Sequence, residues 1–450
     1  MLNKQQIKQT LILGWPISLQ NILVTLLSMI DVVMVSHLGD AAIGAVGLGN
    51  RVMFVVMVII LGLSWGVGIL AAQYYGAGQT KRIRLNILIG SIYAIIALIP
   101  IIVLNIFYAD SILALGTDNQ DVISLGQSYL WITMPSVIFV AITQVIENAL
   151  RSINQVKLPL IFSVVSIILN VILNYWLING GLGVEAMGVS GAALATTLSR
   201  LFQMLILLAI LKYIKHELSV KMSDFALLGN KTDWTKLLKL IVPIMLSSGV
   251  WSLGTFCYQL IYSRMGINEL TVISMLLPIE ALIVSLFFGI ASACSIMVGQ
   301  HLGANRKSEA WNTAKTFALL SPFVAIFVGI LLLLAQEYIL LPYQGASAES
   351  LALANQAFVV ITLLSWMKVI NMTLAMGVLR AGGDNRFCLI TDTTAMWCVA
   401  LPLTFLAAFY WQFAFVYVLL FSYSEDFIKA FMFGIRVKNK RWMNNLADKN

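Results

Sequence analysis

The run GWPISLQNILVTLLSMIDVVMVSHLG, residues 14–39, decides the fold. It is long and apolar enough to cross a bilayer, yet it holds a proline near one end, Pro16, and a single carboxylate, Asp31, near the other. About 20 apolar residues cross a hydrocarbon layer as one helix, the form that satisfies every backbone hydrogen bond within the segment. The whole chain shares this character: 60% of its 450 residues are hydrophobic and only 11% are charged, against roughly 45–50% apolar in soluble chains. Lys4 and Lys8 ahead of the run superficially resemble a secretory leader. The run is too long for one and lacks a small-residue cleavage pattern, so a retained first span is expected. Cys257, Cys294, Cys388 and Cys398 have neither CxxC nor metal-ligand spacing, which points to no disulfide framework and no metal centre.

Apolar segments bounded by charge, Gly or Pro number twelve, near 11–36, 43–72, 85–108, 126–150, 158–178, 187–211, 237–264, 270–298, 312–335, 353–379, 387–409 and 412–435. Basic residues sort to alternate loops: TKRIR after span 2, Arg151 and Lys157, six Lys between Lys212 and Lys239, NRK after span 8, Arg380 and Arg386, and RVKNKRW at the end. The opposite loops carry mainly Asp and Glu, with Arg264 the exception. Lys and Arg collect on the cytoplasmic side, so both termini are expected there. The net charge of +8 is explained by this topology, and no nucleic-acid partner is expected.

The chain also repeats. GWPISL at Pro16 answers IVPIML at Pro243, Gly39 answers Gly266, and AQYYGAG at Gln73 answers GQHLGAN at Gln300, each 227 residues apart; ALRSINQ at Arg151 answers VLRAGGD at Arg380. The expected fold class is an all-α integral membrane protein of twelve transmembrane helices in two six-helix repeats. Its lobes are expected at 1–211 and 237–450, with a cytoplasmic linker at 212–236 and a basic tail. Two parallel repeats with a site at their interface are the architecture of an alternating-access transporter.

The first-span pattern, GQHLGAN after span 8, GVSGAALATTLSR in span 6 and GVLRAGGDNRF after span 10 together resemble the multidrug and toxic compound extrusion (MATE) family over nearly the whole chain. The resemblance implies a V-shaped pair of six-helix lobes that exports bulky, often cationic and amphipathic compounds in exchange for H⁺ or Na⁺. It also implies a bacterial inner-membrane location. The loop QYYGAGQTKRIR has the bases but not the acid of major-facilitator carriers.

Depth places the candidate site. Asp31 lies eight residues before Gly39, roughly 12 Å along the helix. Asn170 and Asn174 are four apart and share one face of span 5, and span 6 returns Thr196 to the same layer. An Asp at the centre of a membrane helix costs about 2.5–3.5 kcal/mol unless protonated, paired or hydrogen-bonded. The four residues are therefore candidates for reversible proton binding, or for Na⁺ held by carboxylate, amide and hydroxyl oxygens; an Asp that merely bonds a neighbouring helix is the structural alternative. The resemblance places the family's N-lobe cation site on Asp31, Asn170, Asn174 and Thr196. The repeat puts Tyr258 opposite Asp31, and GVWSLG stands where some family members carry a span-7 Glu. No second site of that kind is expected.

Pro16 removes a helix hydrogen bond and is a candidate hinge. Glu280 in span 8 and Lys368 in span 10 are read either as a structural pair or, for Glu280, as a substrate contact. Met29, Met34, Trp251, Tyr258 and Met275 are candidate cavity residues from a chain rich in adaptable Met and flat Trp. Glu147 and Asp392 are expected to be held by Arg or water. No catalytic cluster of His, Cys or acids is present, so no enzyme, cofactor or resident metal is expected; the partners are small drug-like molecules and the lipid bilayer, and the chain is expected to be a monomer. The runner-up reading is a lipid-linked oligosaccharide flippase, which would call for a strongly cationic cavity.

Overall fold

The computed structural model describes residues 4–181 and 183–448. It is all helical; among the described residues the one extended pairing is an isolated bridge between Gly181 and Val184. Among the described residues ten helices are each long and apolar enough to cross a membrane, and the pair Gln120–Thr133 and Ser136–Ser152, bent by 46°, is long and apolar enough when taken together. The bend falls at Met134 and Pro135, where proline lacks the N–H that would continue the ladder. The twelfth crossing is Phe415–Ser422 with Ser424–Lys438. It is less apolar than the others because Glu425, Asp426 and Lys429 lie within it, all buried. The chain is thus an all-α membrane protein of twelve helices in two six-helix repeats, with spans 11 and 12 separated at residues 411–414.

Contacts divide the chain into two compact units, one of Leu19–Met245 and one of Met1–Ser18 with Leu246–Asn450. The division falls inside spans 1 and 7 rather than at the linker. It falls at repeat-related places, since Ser18 and Met245 are again 227 apart, two residues after Pro16 and Pro243. Close glycine packing explains each crossing. In one unit, a Cβ on Gly289 of span 8 would sit 2.1 Å from the carbonyl oxygen of Gly14, and the Ser18 hydroxyl donates to the Leu286 carbonyl. In the other, Gly62 of span 2, the repeat partner of Gly289, leaves room for Met245, where a Cβ would lie 3.0 Å from its Cα, and Gly66 accommodates Ile241. Small residues let backbones approach where lipid offers no hydrophobic drive for helix association.

Spans 5 (Lys157–Asn179) and 6 (Gly188–Tyr213) are joined in the same way. A Cβ on Gly191 would come within 2.5 Å of the Leu177 carbonyl oxygen, so GVSGAALATT exists to bring two backbones together. The second unit differs by π-helical turns at Thr373–Leu379, Thr394–Ala400 and Leu406–Tyr410, which widen spans 10 and 11.

The linker is folded onto the basic end of the first unit. Arg84 at the start of span 3 grips Asp224 with two hydrogen bonds, Nε to Oδ2 at 2.7 Å and Nη2 to Oδ1 at 3.2 Å. Its Nη1 donates to the Glu217 carbonyl at 3.1 Å. The Tyr93 hydroxyl donates to the carbonyl of Trp234 at 3.1 Å. Burial pushes the Asp224 carboxyl up, but the Arg84 hydrogen bonds, the Lys221 N–H and the charge of both residues outweigh it and hold the group below the usual carboxylate range. A carboxyl depressed in the folded state contributes stability that is complete above its unfolded pKa and is lost as pH falls through the folded value. Removing one partner of a buried pair costs on the order of 3 kcal/mol. Asp224→Asn should therefore expose the linker to trypsin at Lys221 and Lys231 much faster than in the parent, and acidification below the carboxylate range should loosen the parent in the same way. Equal cleavage rates at neutral pH would refute the latch.

Candidate functional site

Span 1 carries Asp31, span 5 carries Asn170 and Asn174, and span 6 carries Thr196; the first unit brings all four together. Asn174 Nδ2 donates to Asp31 Oδ1 at 2.7 Å and to Asn170 Oδ1 at 3.0 Å. Asn170 Nδ2 in turn faces Thr196 Oγ1 at 3.3 Å and Ser199 Oγ at 3.4 Å. Asn170 and Asn174 are fully buried while Asp31 and Thr196 are half-buried. The carboxylate therefore sits at the edge of a buried amide and hydroxyl chain, within reach of a medium on one side only. One atom is left over: Asn174 Oδ1 is buried without a hydrogen-bond partner.

A second polar cluster occupies the other half of the same unit. Glu147 on span 4 accepts from Gln20 Nε2 at 2.9 Å and from Gln203 Nε2 at 3.1 Å, and pairs with Arg151 at 3.5 Å. Arg151 also donates to Gln20 Oε1 at 2.6 Å, so Glu147 is held by an Arg partner as the sequence suggests. Sequence reasoning missed Arg200. It is half-buried, one turn beyond Thr196, donates to Gln203 Oε1 at 3.4 Å, and interacts electrostatically with both Asp31 and Glu147. The signal was the spacing Thr196, Arg200, Gln203, which continues one helix face. Arg151 and Arg200 are both held by polar partners. Tyr129, also buried, interacts with Asp31 electrostatically while its hydroxyl donates to Asn50 Oδ1 at 3.0 Å.

The remaining candidates are spread out. Glu280 and Lys368 pair directly, the first of the two arrangements that their positions in spans 8 and 10 allow. Tyr258 and Met275 belong to the packed core of the second unit. The Tyr258 hydroxyl is used by Glu425 Oε2 at 3.0 Å, so neither offers the open surface that a cavity residue needs. Met29 and Trp251 are exposed and Met34 is half-buried. Asp392 is held by Arg380 at 3.3 Å, Lys429 at 3.4 Å and the Ser247 hydroxyl at 2.5 Å. Among the described residues no group of three or more His, Cys, Asp or Glu is placed to hold a metal ion.

The MatE family pattern matches residues 16–176 and 243–406, one copy in each repeat. The chain belongs to the MatE family. It is a transporter and not an enzyme. The two matches begin at Pro16 and Pro243, so the family pattern reproduces the 227-residue offset. Among similar proteins, the probable multidrug resistance protein NorM of Bradyrhizobium diazoefficiens is 27% identical, the alignment covering 89% of this chain and 86% of that protein. Its counterpart in Thermotoga maritima is 25% identical over 90% and 86%. The fold is also that of an outward-facing multidrug resistance MATE family transporter of the MOP superfamily, with a TM-score of 0.85 at 19% identity over 97% of both chains. A MATE structure in a bent conformation superposes with a TM-score of 0.86 at 18% identity over 96% of both chains.

The amide chain sets a stability test for this MatE member. Asn170→Ala leaves a buried donor and acceptors without partners, which costs about 1–3 kcal/mol, whereas Met29→Ala on the exposed face should stay within about 0.5 kcal/mol. Thermal unfolding of the two variants in the same detergent should separate them clearly. Similar midpoints would show that the amide chain does not stabilise the bundle.

Proposed function

We propose that this chain is a cation-coupled multidrug efflux antiporter that exports amphipathic, often cationic compounds, and that Asp31 carries the coupling proton. The observation that carries this reading is the Asn174 amide: its Nδ2 already donates to Asp31 Oδ1, while its Oδ1, buried beside that carboxylate, has no partner. A protonated Asp31 has an O–H to give, and donation to that oxygen closes a two-bond acid–amide ring. The buried acceptor, which costs about 1–3 kcal/mol while unmade, is then satisfied. Ionised, Asp31 keeps only the N–H bond and becomes an anionic edge group that attracts a cation. Proton and cationic substrate thus compete for one charge, which is what exchange requires.

The same oxygens, with Thr196 Oγ1, also suit Na⁺, and this is the second reading. Multidrug names among the relatives support the substrate class. Two guanidiniums, Arg151 and Arg200, face two carboxylates, Asp31 and Glu147, in this unit. This four-residue cluster is balanced while Asp31 is ionised and gains a positive charge on protonation, an electrostatic change that favours release of a cation. Pro16 is proposed as the hinge, since the chain leaves one compact unit for the other two residues later, and a proline helix bends at low cost. The basic loops support a cytoplasmic side for both termini, and the bacterial relatives support an inner-membrane location.

Proteoliposomes with an imposed pH difference test the coupling. Dye-cation export driven by the gradient should fall to background in Asp31→Asn and at least about tenfold, roughly 1.4 kcal/mol, in Asn174→Leu. Export driven by a sodium gradient alone, with no response to pH, would replace the proton by Na⁺. Normal gradient-driven export in Asp31→Asn would overturn the site. Pro16→Ala should slow turnover while leaving substrate affinity unchanged; unaltered turnover would remove the hinge and leave the coupling site standing.

A further inference from the structure

The second unit holds a buried ionic network that the proposed coupling site does not use. Just after its break at Tyr423, span 12 places Glu425 and Asp426 side by side with Lys429 one turn on, all buried. Lys429 bonds Glu425 Oε1 at 2.9 Å and Asp392 Oδ1 at 3.4 Å, and Arg380 reaches Asp392 Oδ2 at 3.3 Å. Tyr258 donates to the remaining oxygen of Glu425 at 3.0 Å. Lys368 pairs with Glu280 and lies 4.7 Å from the centre of the Tyr423 ring. Asp384 and Arg436 form a separate pair at 2.6 Å.

The charges do not balance. Glu280, Asp392, Glu425 and Asp426 face three cations, Lys368, Arg380 and Lys429. Setting aside the partly exposed Glu280 and Lys368 pair leaves three carboxylates against two cations in the deeper part. The other titratable side chains facing this cluster, Tyr258, Tyr262, Tyr423 and Cys388, are neutral when protonated and supply no positive charge. Every carboxylate except Asp426 has a direct ion pair among the described residues. A buried charge without a partner is the arrangement that low-dielectric surroundings disfavour most.

Asp426 is bonded instead by an amide. Asn371 on span 10, 5% exposed, donates Nδ2 to Asp426 Oδ1 at 3.0 Å and to the Asp426 carbonyl at 2.9 Å. Its Oδ1 is buried with no partner. This is the arrangement of Asn174 against Asp31, at positions that the repeat does not relate: with the 229-residue offset that links Arg151 to Arg380, Asp426 answers Thr197 and Asn371 answers Ile142.

We propose that Asp426 holds an exchangeable proton, so that the second unit carries its own protonation site in the form of an acid–amide pair with Asn371. The proton comes from hydronium, which is left as water when its O–H bond breaks, and it forms an O–H bond on Asp426 Oδ2 that donates to Asn371 Oδ1. Protonation neutralises the surplus charge and satisfies the orphaned acceptor in one step. It also changes the field on Lys368, which interacts with Asp426 as well as with Glu280. Those two side chains are 36% and 27% exposed, so a proton on Asp426 alters how firmly Lys368 is drawn from a partly open pair. The site is a property of the resting protein and does not rest on the transport reading.

Infrared difference spectroscopy of the full chain in lipid vesicles, in H₂O and D₂O, tests this. The Asp31→Asn variant serves as background so that the first site is silent. At neutral pH a protonated-carboxyl C=O component should be present, should shift on deuteration, and should be lost when Asp426→Asn is added. Asn371→Ser, with Asp426 retained, should move that component to higher frequency because the acid loses its amide partner; this arm keeps the proposal testable if the double variant does not fold. A spectrum unchanged by Asp426→Asn would show that the residue is ionised and overturn the site. A component lost in Asp426→Asn but indifferent to Asn371→Ser would overturn the acid–amide pair.

Discussion

The hydrogen bond from Asn174 to Asp31 is the interaction on which the first unit depends, because a bilayer offers a carboxylate nothing else. In hydrocarbon there is no water to exchange partners with, so every polar atom must be matched by the protein or by a bound proton or ion. The match here is nearly complete: one amide spans two acceptors, the next amide passes the chain on to hydroxyls of span 6, and a single oxygen is left open. The close approach of spans 5 and 6 at Gly191 brings the Asn170 amide within reach of the Thr196 and Ser199 hydroxyls. Packing therefore comes first, and the site is a consequence of it.

The same constraint separates the two units chemically. In the first, Arg151 and Arg200 face Glu147 and Asp31; in the buried cluster of the second, four carboxylates face three cations. Duplication supplied two similar bundles, and each then filled its interior with a different set of charges. Tyr258, which the offset places opposite Asp31, has become a donor to Glu425. Span 12 accepts its charges because they are turned into the core, which is also why it falls short of the apolar character of its neighbours.

The units are also tied to the duplication through spans 1 and 7. Each begins in one unit and ends in the other, changing over at Ser18 and at Met245, and each change follows a proline by two residues. A helix that belongs to two bodies must tolerate strain between them, and a missing hydrogen bond is the simplest way to provide that tolerance. Close contacts bracket both prolines, Gly14 and Ser18 against Gly289 around Pro16, and Ile241 and Met245 against Gly66 and Gly62 around Pro243, so each proline segment is packed against the neighbouring span of its own unit.

Helix class, span number, the repeat and the family were legible in the sequence, because hydrophobic length and a nearly constant offset of 227 to 229 residues survive without any knowledge of contacts. Asp31, Asn170, Asn174 and Thr196 were legible as a group because depth along a helix of known rise places them in one layer. Arg200 and Gln203 were not, since a residue's partner across a bundle depends on helix rotation and spacing, which glycine contacts set and sequence distance does not. Nor could the sequence decide between pairing and an open site for Glu280 and Lys368, or show that Asp426 and Asn371 meet. Composition and periodicity determined that these polar residues would be buried in a bilayer. Only the tertiary structure decided which of them face one another, because partners there lie on different helices up to 167 residues apart.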